Sequence, residues 1–303
     1  MGTPEFAVPT LLELSKGHEI TAVVTQPDRK AGRGKALQMP PVKEVALKLN
    51  IPVYQPERIK NAEFANILSN IEADIFVVVA YGQILSQKIL DMKKFGAVNI
   101  HASLLPKYRG PAPINFAVIN GDKKTGITIM QMDLGLDTGD IILKEEIDIE
   151  DNDTSETLYK NLSGLGATTL IKALEKIETG VLEREKQDES LASYAPLLTK
   201  EMGKIDFSKP SDEIINLIRG LTPWPSAYFD MCGNTFKVFK AEKSEKDYTG
   251  VFGEIVEVSS DGIYVKTGDC CIIIKEIQPP NKKRMSVSDF LRGNSVDVGN
   301  ICV

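Results

Sequence analysis

Two polar side chains interrupt an apolar stretch near the first third of the chain. The run 97–101 is apolar except at Asn99 and His101, which alternate with the apolar residues at the period of a strand and so share one face. Burying an amide or an imidazole without a partner costs about 1–3 kcal/mol. An imidazole can carry a proton near neutral pH, and an amide N–H can stabilise a developing negative charge. We therefore interpret both residues as catalytic; the alternative is a core histidine that is satisfied by a backbone carbonyl.

The segment that follows this strand is stiff and rich in proline. Residues 104–106 and 110–113 contain three of the prolines, which enforce an extended loop, and this loop also carries the basic Arg109. In an open α/β sheet, ligands bind at the carboxyl ends of strands. A second such loop, 81–85, follows the most apolar predicted strand, 75–79. We expect both loops to face the same crevice.

Strands alternate with amphipathic helices over the first 180 residues, which predicts an α/β fold with a doubly wound, mostly parallel Rossmann-like sheet. A charged, aperiodic stretch follows. Beyond it, short alternating runs are separated by Gly and Asn turns, which predicts a small C-terminal OB-like β-barrel. The barrel strands are predicted at 227–231, 235–240, 253–258, 263–266 and 271–277. The domains are predicted at 1–181 and 203–303, with a linker at 182–202.

Composition restricts the class of protein. A net charge of −6, 42% hydrophobic residues and 26% charged residues are ordinary for a soluble protein of 303 residues. No apolar run approaches the ~20 residues of a membrane span, and no signal-peptide pattern opens the sequence. The cysteines show no Cys-x-x-Cys spacing. We expect a cytoplasmic protein that makes no membrane contact, and we take it to be a monomer.

The sequence offers few ligands for a metal ion. His18 and His101 are its two histidines, so a zinc site would have to consist mostly of carboxylates. The turn that contains Asp133, Asp137 and Asp140 lacks the alternating ligands and the terminal glutamate of a calcium loop. We predict no metal site.

Four basic side chains lie within seven positions of a long connection, 26–41, and are opposed by Asp28. Local clusters rather than the net charge decide contacts with phosphate groups. The cluster is therefore either a solvated loop or a patch that contacts nucleic acid. Its members are Arg29, Lys30, Arg33 and Lys35.

The combination of motifs resembles a known family. Asn99-x-His101, the loop Ser103-Leu104-Leu105-Pro106 and Asp137 in an Asp-Thr-Gly turn resemble the formyltransferases that use 10-formyltetrahydrofolate. Motifs at 26–35, 130–139 and 223–225 resemble the branch of this family that formylates methionyl initiator tRNA. The resemblance covers essentially the whole chain.

The resemblance implies a reaction and a role for each site residue. The reaction is transfer of a formyl group from the folate co-substrate to the α-amine of methionine, without a metal. Asn99 would donate to the formyl oxygen, and His101 would donate to the same oxyanion or relay a proton. Asp137 would hold the imidazole tautomer and favour its charged form, or pass a proton through water. The basic cluster defined above would meet the acceptor arm of the tRNA. The implied folate contacts are Tyr81, Gln83, Ile84, Leu85, Ser103, Leu104, Leu105 and Pro106.

One feature departs from the family pattern. Family members carry an apolar strand before Gly-Thr-Pro, whereas this sequence begins with Met1 directly before Gly2. That strand would be central in the sheet, so we expect its absence to leave an unpaired edge in the core.

Three rival functions remain open at this point: a formyltransferase that acts on an amino sugar nucleotide, a hydrolase that releases formate from the folate, and a non-catalytic RNA-binding protein. The basic cluster favours tRNA over a small acceptor. The intact Asn99, His101 and Asp137 favour an enzyme.

Overall fold

A computed structural model describes residues 1–31, 36–181, 183–246 and 248–303. The described chain divides into two compact units that interleave along the sequence. Unit 1 comprises Met1–Gly110, Thr125–Ile147 and Tyr159–Tyr194, and unit 2 comprises Pro111–Lys124, Asp148–Leu158 and Ala195–Val303. The predicted domain borders at 181 and 202 remain a prediction.

The strands and helices follow in chain order. The strands are β1 (Val23–Val24), β2 (Arg29–Ala31), β3 (Ala36–Gln38), β4 (Val53–Tyr54), β5 (Phe76–Val78), β6 (Ala97–His101), β7 (Lys124–Gln131), β8 (Ile141–Asp148), β9 (Ala227–Met231), β10 (Asn234–Lys243), β11 (Ile255–Ser259), β12 (Gly262–Lys266), β13 (Cys271–Gln278) and β14 (Met285–Ser286). The helices are α1 (Val8–Gly17), α2 (Pro41–Lys48), α3 (Ala62–Asn70), α4 (Gln87–Leu90), α5 (Pro113–Ile119), α6 (Ser155–Thr179), α7 (Ser211–Gly220) and α8 (Val287–Leu291). None of the helices in the described ranges is long and apolar enough to cross a membrane.

Unit 1 contains the α/β part of the fold, which confirms the predicted class. Strands β5, β6, β7 and β8 form one sheet in that order, and β1 pairs with β4 in another. The β1–β4 and β5–β6 pairs are parallel, whereas β7 runs antiparallel to β6 and places Thr128 opposite His101. Apart from Asn99, the residues of β6 are buried, as expected for a strand covered on both faces.

Helix α6 covers β6 at close range. Its buried residues Leu162, Leu170 and Leu174 recur at helical spacing and form the face that packs inward. Gly166 lies on this face, and a Cβ there would come within 2.9 Å of the Ile100 side chain. The glycine therefore allows the helix to approach the strand that carries the catalytic candidates.

A cavity of about 940 Å³ in unit 1 is lined by residues of β1, β5, α1 and α6. Met1 and Gly2 are among its lining residues. Gly2 N donates to Val24 O at 3.0 Å, and Gly2 forms a parallel bridge with Val79. In the described ranges, β1 and β5 line this cavity and do not pair with each other.

The connection 26–41 differs from the simple loop suggested by its composition. β2 and β3 pair antiparallel, with Arg29 opposite Gln38, so the two arms of the basic segment form a short hairpin. Two elements of unit 1 are also short: β1 comprises Val23–Val24, and α4 comprises Gln87–Leu90. Short elements near sheet edges carry weaker periodic signals than buried ones.

Unit 2 confirms the predicted C-terminal β domain. Strands β11, β12, β13, β10 and β9 form an antiparallel sheet in that order, and β14 pairs with β13. Alternating residues such as Phe229, Val238 and Ile272 face one apolar core. This alternation is the signal from which the strands were predicted.

Candidate active site

The structure brings His101 and Asp137 together. His101 is the last residue of β6, and its Nδ1 lies 3.6 Å from Asp137 Oδ2. The two side chains are only 7% and 14% exposed. The distance is that of an ion pair rather than of a direct hydrogen bond. A carboxylate and an imidazole so placed can share the movement of one proton.

A backbone carbonyl fixes the tautomer of His101. The imidazole Nε2 lies 2.9 Å from Tyr108 O, and a carbonyl can only accept, so Nε2 carries a proton. Nδ1, which faces Asp137, is therefore the nitrogen that gains or loses a proton. The Tyr108 carbonyl thus holds the tautomer, which was one of the roles that the resemblance offered for Asp137. His101 thus has both the backbone carbonyl partner expected of a core histidine and a carboxylate partner, Asp137.

Asn99 precedes His101 by two residues on the same strand and is half-buried. In the described part of the chain, no group hydrogen-bonds to its side-chain amide. The neighbouring Gln131 differs, because its Nε2 donates to Ala97 O at 2.9 Å. The amide of Asn99 is thus available to a ligand at the end of β6.

The Asp137 loop is a braced turn. Asp133 Oδ1 accepts from Gly135 N at 3.0 Å and from the Thr138 hydroxyl at 2.7 Å. A Cβ at Gly139 would come within 1.7 Å of Gln131 O, so only glycine fits there. Asp137 itself has a φ of 55°, in the left-handed region. The packing of the backbone therefore requires the glycine of the Asp-Thr-Gly motif, independently of any chemical role of the aspartate.

The loop after His101 is anchored to β7 by buried polar contacts. The Thr128 hydroxyl donates to Ser103 O at 2.6 Å and accepts from Leu105 N at 3.1 Å. Ser103 is fully buried, and its Oγ donates to Lys107 O at 2.6 Å. Leu105 packs in the core with Met130. Two residues predicted to contact folate are thus internal, while Leu104 and Pro106 are partly exposed.

The loop 81–85 shows the same division. Tyr81 and Leu85 are buried in the core, and burial raises the pKa of Tyr81 to about 12. The Gln83 side chain accepts from Ile59 N at 2.7 Å and so supports the neighbouring turn. Ile84 is 71% exposed and presents its side chain to solvent.

The basic cluster lies partly outside the described residues. Arg29 and Lys30 are exposed on β2, whereas Arg33 and Lys35 fall in the undescribed part of the chain. The base of the hairpin is fixed by Asp28, which pairs with Lys43 Nζ at 2.7 Å. Hydrogen bonds from Gln55 and Lys43 hold the pKa of Asp28 below its usual range.

Sequence reasoning missed the role of Arg109. Its side chain is fully buried and pairs with Glu189 at 2.8 Å, whereas the sequence suggested a basic residue near a ligand. Glu189 and the second partner, Gln187, lie about 80 residues away along the chain. No local pattern could identify them.

In the ranges that the structure describes, no group of three or more His, Cys, Asp or Glu side chains could hold a metal ion.

Comparisons with known proteins match both parts of the chain. A family model described as formyl transferase matches residues 1–174, and one described as formyl transferase, C-terminal domain, matches residues 197–295. The chain is 49% identical over 300 residues to the methionyl-tRNA formyltransferase of Clostridioides difficile strain 630, covering 99% of this chain and 97% of the relative. It is 50% identical over 302 residues to the protein of the same name from Alkaliphilus oremlandii strain OhILAs, with the same coverage.

A solved structure shares the fold. The sugar 3N-formyl transferase WlaRD, crystallised in the presence of dTDP and 5-N-formyl-THF, superposes with a TM-score of 0.70. The superposition covers 93% of this chain and 97% of that chain at 24% sequence identity. At this identity the likeness concerns the fold alone.

Proposed function

The chain belongs to the formyl transferase family, and from this premise we propose that it transfers a formyl group from 10-formyltetrahydrofolate to the α-amino group of methionyl initiator tRNA. Support comes from the relatives that are about half identical over nearly the whole chain, which are named methionyl-tRNA formyltransferase. The product would be the formylated initiator tRNA used in translation initiation.

The observation that carries the mechanism is the grouping at the end of β6. Asn99 has a side-chain amide free of described partners, and His101 Nδ1 faces Asp137 at 3.6 Å. Acyl transfer needs a donor for the oxyanion and a proton path between the two nitrogens. The Asn99 amide can supply the donor, and His101 with Asp137 can supply the proton path. We assign the roles of catalytic residues to Asn99, His101 and Asp137.

The proposed reaction proceeds through a tetrahedral intermediate. The methionine amine attacks the formyl carbon, and the Asn99 amide N–H donates to the oxygen that becomes negative. His101 Nδ1, next to the Asp137 carboxylate, takes up the proton that the amine loses. The bond to the folate nitrogen then breaks, and this nitrogen receives the proton held on His101 Nδ1. The Tyr108 carbonyl keeps Nε2 out of the exchange because that nitrogen already donates.

The folate is proposed to lie against the two carboxyl-end loops. Ile84, Leu104 and Pro106 are exposed enough to contact it directly. The buried side chains Ser103 and Leu105 would act by shaping the loop backbone. The other residues of the folate prediction, Tyr81, Gln83 and Leu85, would support the 81–85 loop in the same way.

The acceptor arm of the tRNA is proposed to meet the basic cluster Arg29, Lys30, Arg33 and Lys35. Lysines complement phosphate groups as point charges, and arginines can also bind them in bidentate fashion. Exposed lysines of the C-terminal domain such as Lys282 and Lys283 are further candidates. We also propose the division at 181 and 202 into a catalytic domain, a linker and a tRNA-binding domain, and a cytoplasmic monomer.

The test is an incubation with 10-formyltetrahydrofolate and one of two acceptors, methionyl initiator tRNA or a dTDP-linked amino sugar, followed by mass spectrometry of the acceptor. We expect formylmethionine on the tRNA and an unchanged sugar. A formylated sugar with unchanged tRNA would replace the proposal with the sugar-nucleotide activity. Formate release without an acceptor product would indicate the hydrolase. Binding of tRNA without any turnover of folate would indicate a non-catalytic protein.

A further inference from the structure

We propose that residues 187–194, here called the strap, position the catalytic pair, and that Gln187 is the positioning residue that holds Asp137. The inference rests on the proposed function for its kinetic consequences. Its geometry involves a tripeptide, Tyr108–Gly110, and the Asp137 loop, all within unit 1.

The backbone of the tripeptide contacts both members of the catalytic pair. Tyr108 O accepts from His101 Nε2 at 2.9 Å, and Gly110 N donates to Asp137 Oδ2 at 2.8 Å. Tyr108 and Asp137 both have a positive φ, 60° and 55°. Such conformations cost free energy for residues other than glycine and persist only where surrounding contacts impose them. The positions of the His101 and Asp137 side chains therefore depend on the contacts that hold the backbone at Tyr108 and Asp137.

The strap holds the tripeptide by backbone and hydroxyl contacts. Tyr108 N donates to Ser193 Oγ at 2.9 Å, and Arg109 N donates to Ser193 O at 2.8 Å. Ser193 N donates in turn to Pro106 O at 3.3 Å. The strap thus lies alongside the tripeptide like an added strand.

The side chain of Arg109 extends this contact. It is fully buried, and its guanidinium donates to both carboxylate oxygens of Glu189, at 2.8 and 2.9 Å. Nε and a second N–H of Nη2 donate to Gln187 Oε1 at 3.0 and 2.8 Å. A buried guanidinium needs a charged partner and hydrogen-bond acceptors, and the strap supplies Glu189 and Gln187. Hydrogen bonding to Glu189 raises the pKa of Arg109.

The orientation of Gln187 follows from these contacts. Because Oε1 faces two N–H groups of Arg109, Nε2 must point the other way, and it donates to Asp137 O and Gly139 O at 2.8 Å each. One amide therefore holds two backbone carbonyls of the turn that presents the Asp137 carboxylate, at Asp137 and at Gly139. Glu189, Arg109, Gln187, Asp137 and His101 form a continuous series of polar contacts.

Catalysis requires this precision. Catalytic groups must be held to within about 0.5 Å of a productive geometry. Without the Gln187 amide, two carbonyls of the turn lose their donor, and the left-handed Asp137 loses a constraint that favours its conformation. The carboxylate would then spend less time beside His101 Nδ1.

The first test compares Gln187→Ala and Gln187→Glu with Gln87→Ala. Gln187→Glu keeps the acceptor for Arg109 and removes the donor to the turn. Gln87 lies on α4 and pairs with Asp91 of the surface, so it is a matched control. We expect kcat for formyl transfer to fall ~10–100-fold in both Gln187 variants, with KM values close to wild type. Because two carbonyls of the turn lose their donor, Tm should fall as well, so kcat is measured well below the Tm of each variant. A fall in Tm with unchanged kcat would overturn the proposal in favour of a purely structural strap.

The second test is a double-mutant cycle with Asp137→Ala. If Gln187 acts through Asp137, Gln187→Ala should add little to the loss of kcat that Asp137→Ala already causes. Independent, multiplicative losses in the double variant would overturn the proposal.

The third test does not depend on activity. The chain has two histidines, so a histidine-labelled sample gives separate ring-nitrogen NMR signals for His101 and His18. We expect Gln187→Glu to shift the His101 signals and to leave those of His18 in place. Unchanged His101 signals would refute the positioning role. Shifted signals in a protein without formyl-transfer activity would instead refute the proposed function and retain the positioning.

Discussion

Replacing Thr128 with valine tests whether β7 anchors the loop after His101. Thr128 is fully buried, and its hydroxyl serves two backbone groups, Ser103 O and Leu105 N. Valine has the same shape without the hydroxyl, so both groups would be left buried and unpaired. Serine keeps the hydroxyl and loses only a methyl group. The pair of variants therefore separates hydrogen bonding from packing.

The expected magnitudes follow from these contacts. A buried backbone group without a partner costs about 1–3 kcal/mol, so two of them should destabilise Thr128→Val by ~3 kcal/mol. Loss of one buried methyl should destabilise Thr128→Ser by ~1 kcal/mol. With an m-value of ~3 kcal/mol/M in urea, the midpoint should fall by ~1 M for valine and ~0.3 M for serine.

The assay is urea unfolding followed by circular dichroism, together with the KM for 10-formyltetrahydrofolate. Since Ser103 and Leu105 belong to the proposed folate loop, KM should rise more in Thr128→Val than in Thr128→Ser. A valine variant as stable as the serine variant, with an unchanged KM, would refute the anchoring role of the hydroxyl.

Three further outcomes are expected. Alanine at Asn99, His101 or Asp137 should each lower kcat by at least ~10²-fold with Tm unchanged, and near-normal turnover of the His101 variant would contradict the mechanism. Arg33→Ala should raise the KM for methionyl-tRNA but not for folate, and should reduce the salt slope of tRNA binding by about one unit. Unchanged tRNA kinetics would favour the alternative, a solvated loop that does not contact the tRNA. Asp28→Asn should destabilise the protein at pH 7. Because the pKa of folded Asp28 lies below its unfolded value, this loss should shrink as pH falls below about 4, and a pH-independent difference in urea midpoint would contradict the assignment.

The sequence by itself determined the elements that carry the site. The apolar run 97–101 predicted β6, and the alternating runs of the last third predicted β9–β13 nearly to their ends. These features are local, because a strand's period of two and the stiffness of a proline-rich loop depend on adjacent residues. The spacing of Asn99 and His101 on one face followed from the same period.

The resemblance added Asp137, whose Oδ2 lies 3.6 Å from His101 Nδ1 in the structure. It could not say which atom of the imidazole faces the carboxylate. That depends on the Tyr108 carbonyl, whose direction is set by a left-handed backbone and by the strap. It also could not separate internal from exposed members of the folate loops, such as Ser103 and Ile84.

Only the tertiary structure decided the environment of Arg109. In the sequence it is a basic residue in a proline-rich loop, a setting typical of ligand contact. In the fold it is desolvated and paired with Gln187 and Glu189. A charge can be buried only where a partner and acceptors surround it, and these come from a segment about 80 residues away. Local periodicity does not predict such contacts, because they depend on how distant segments of the chain pack against each other.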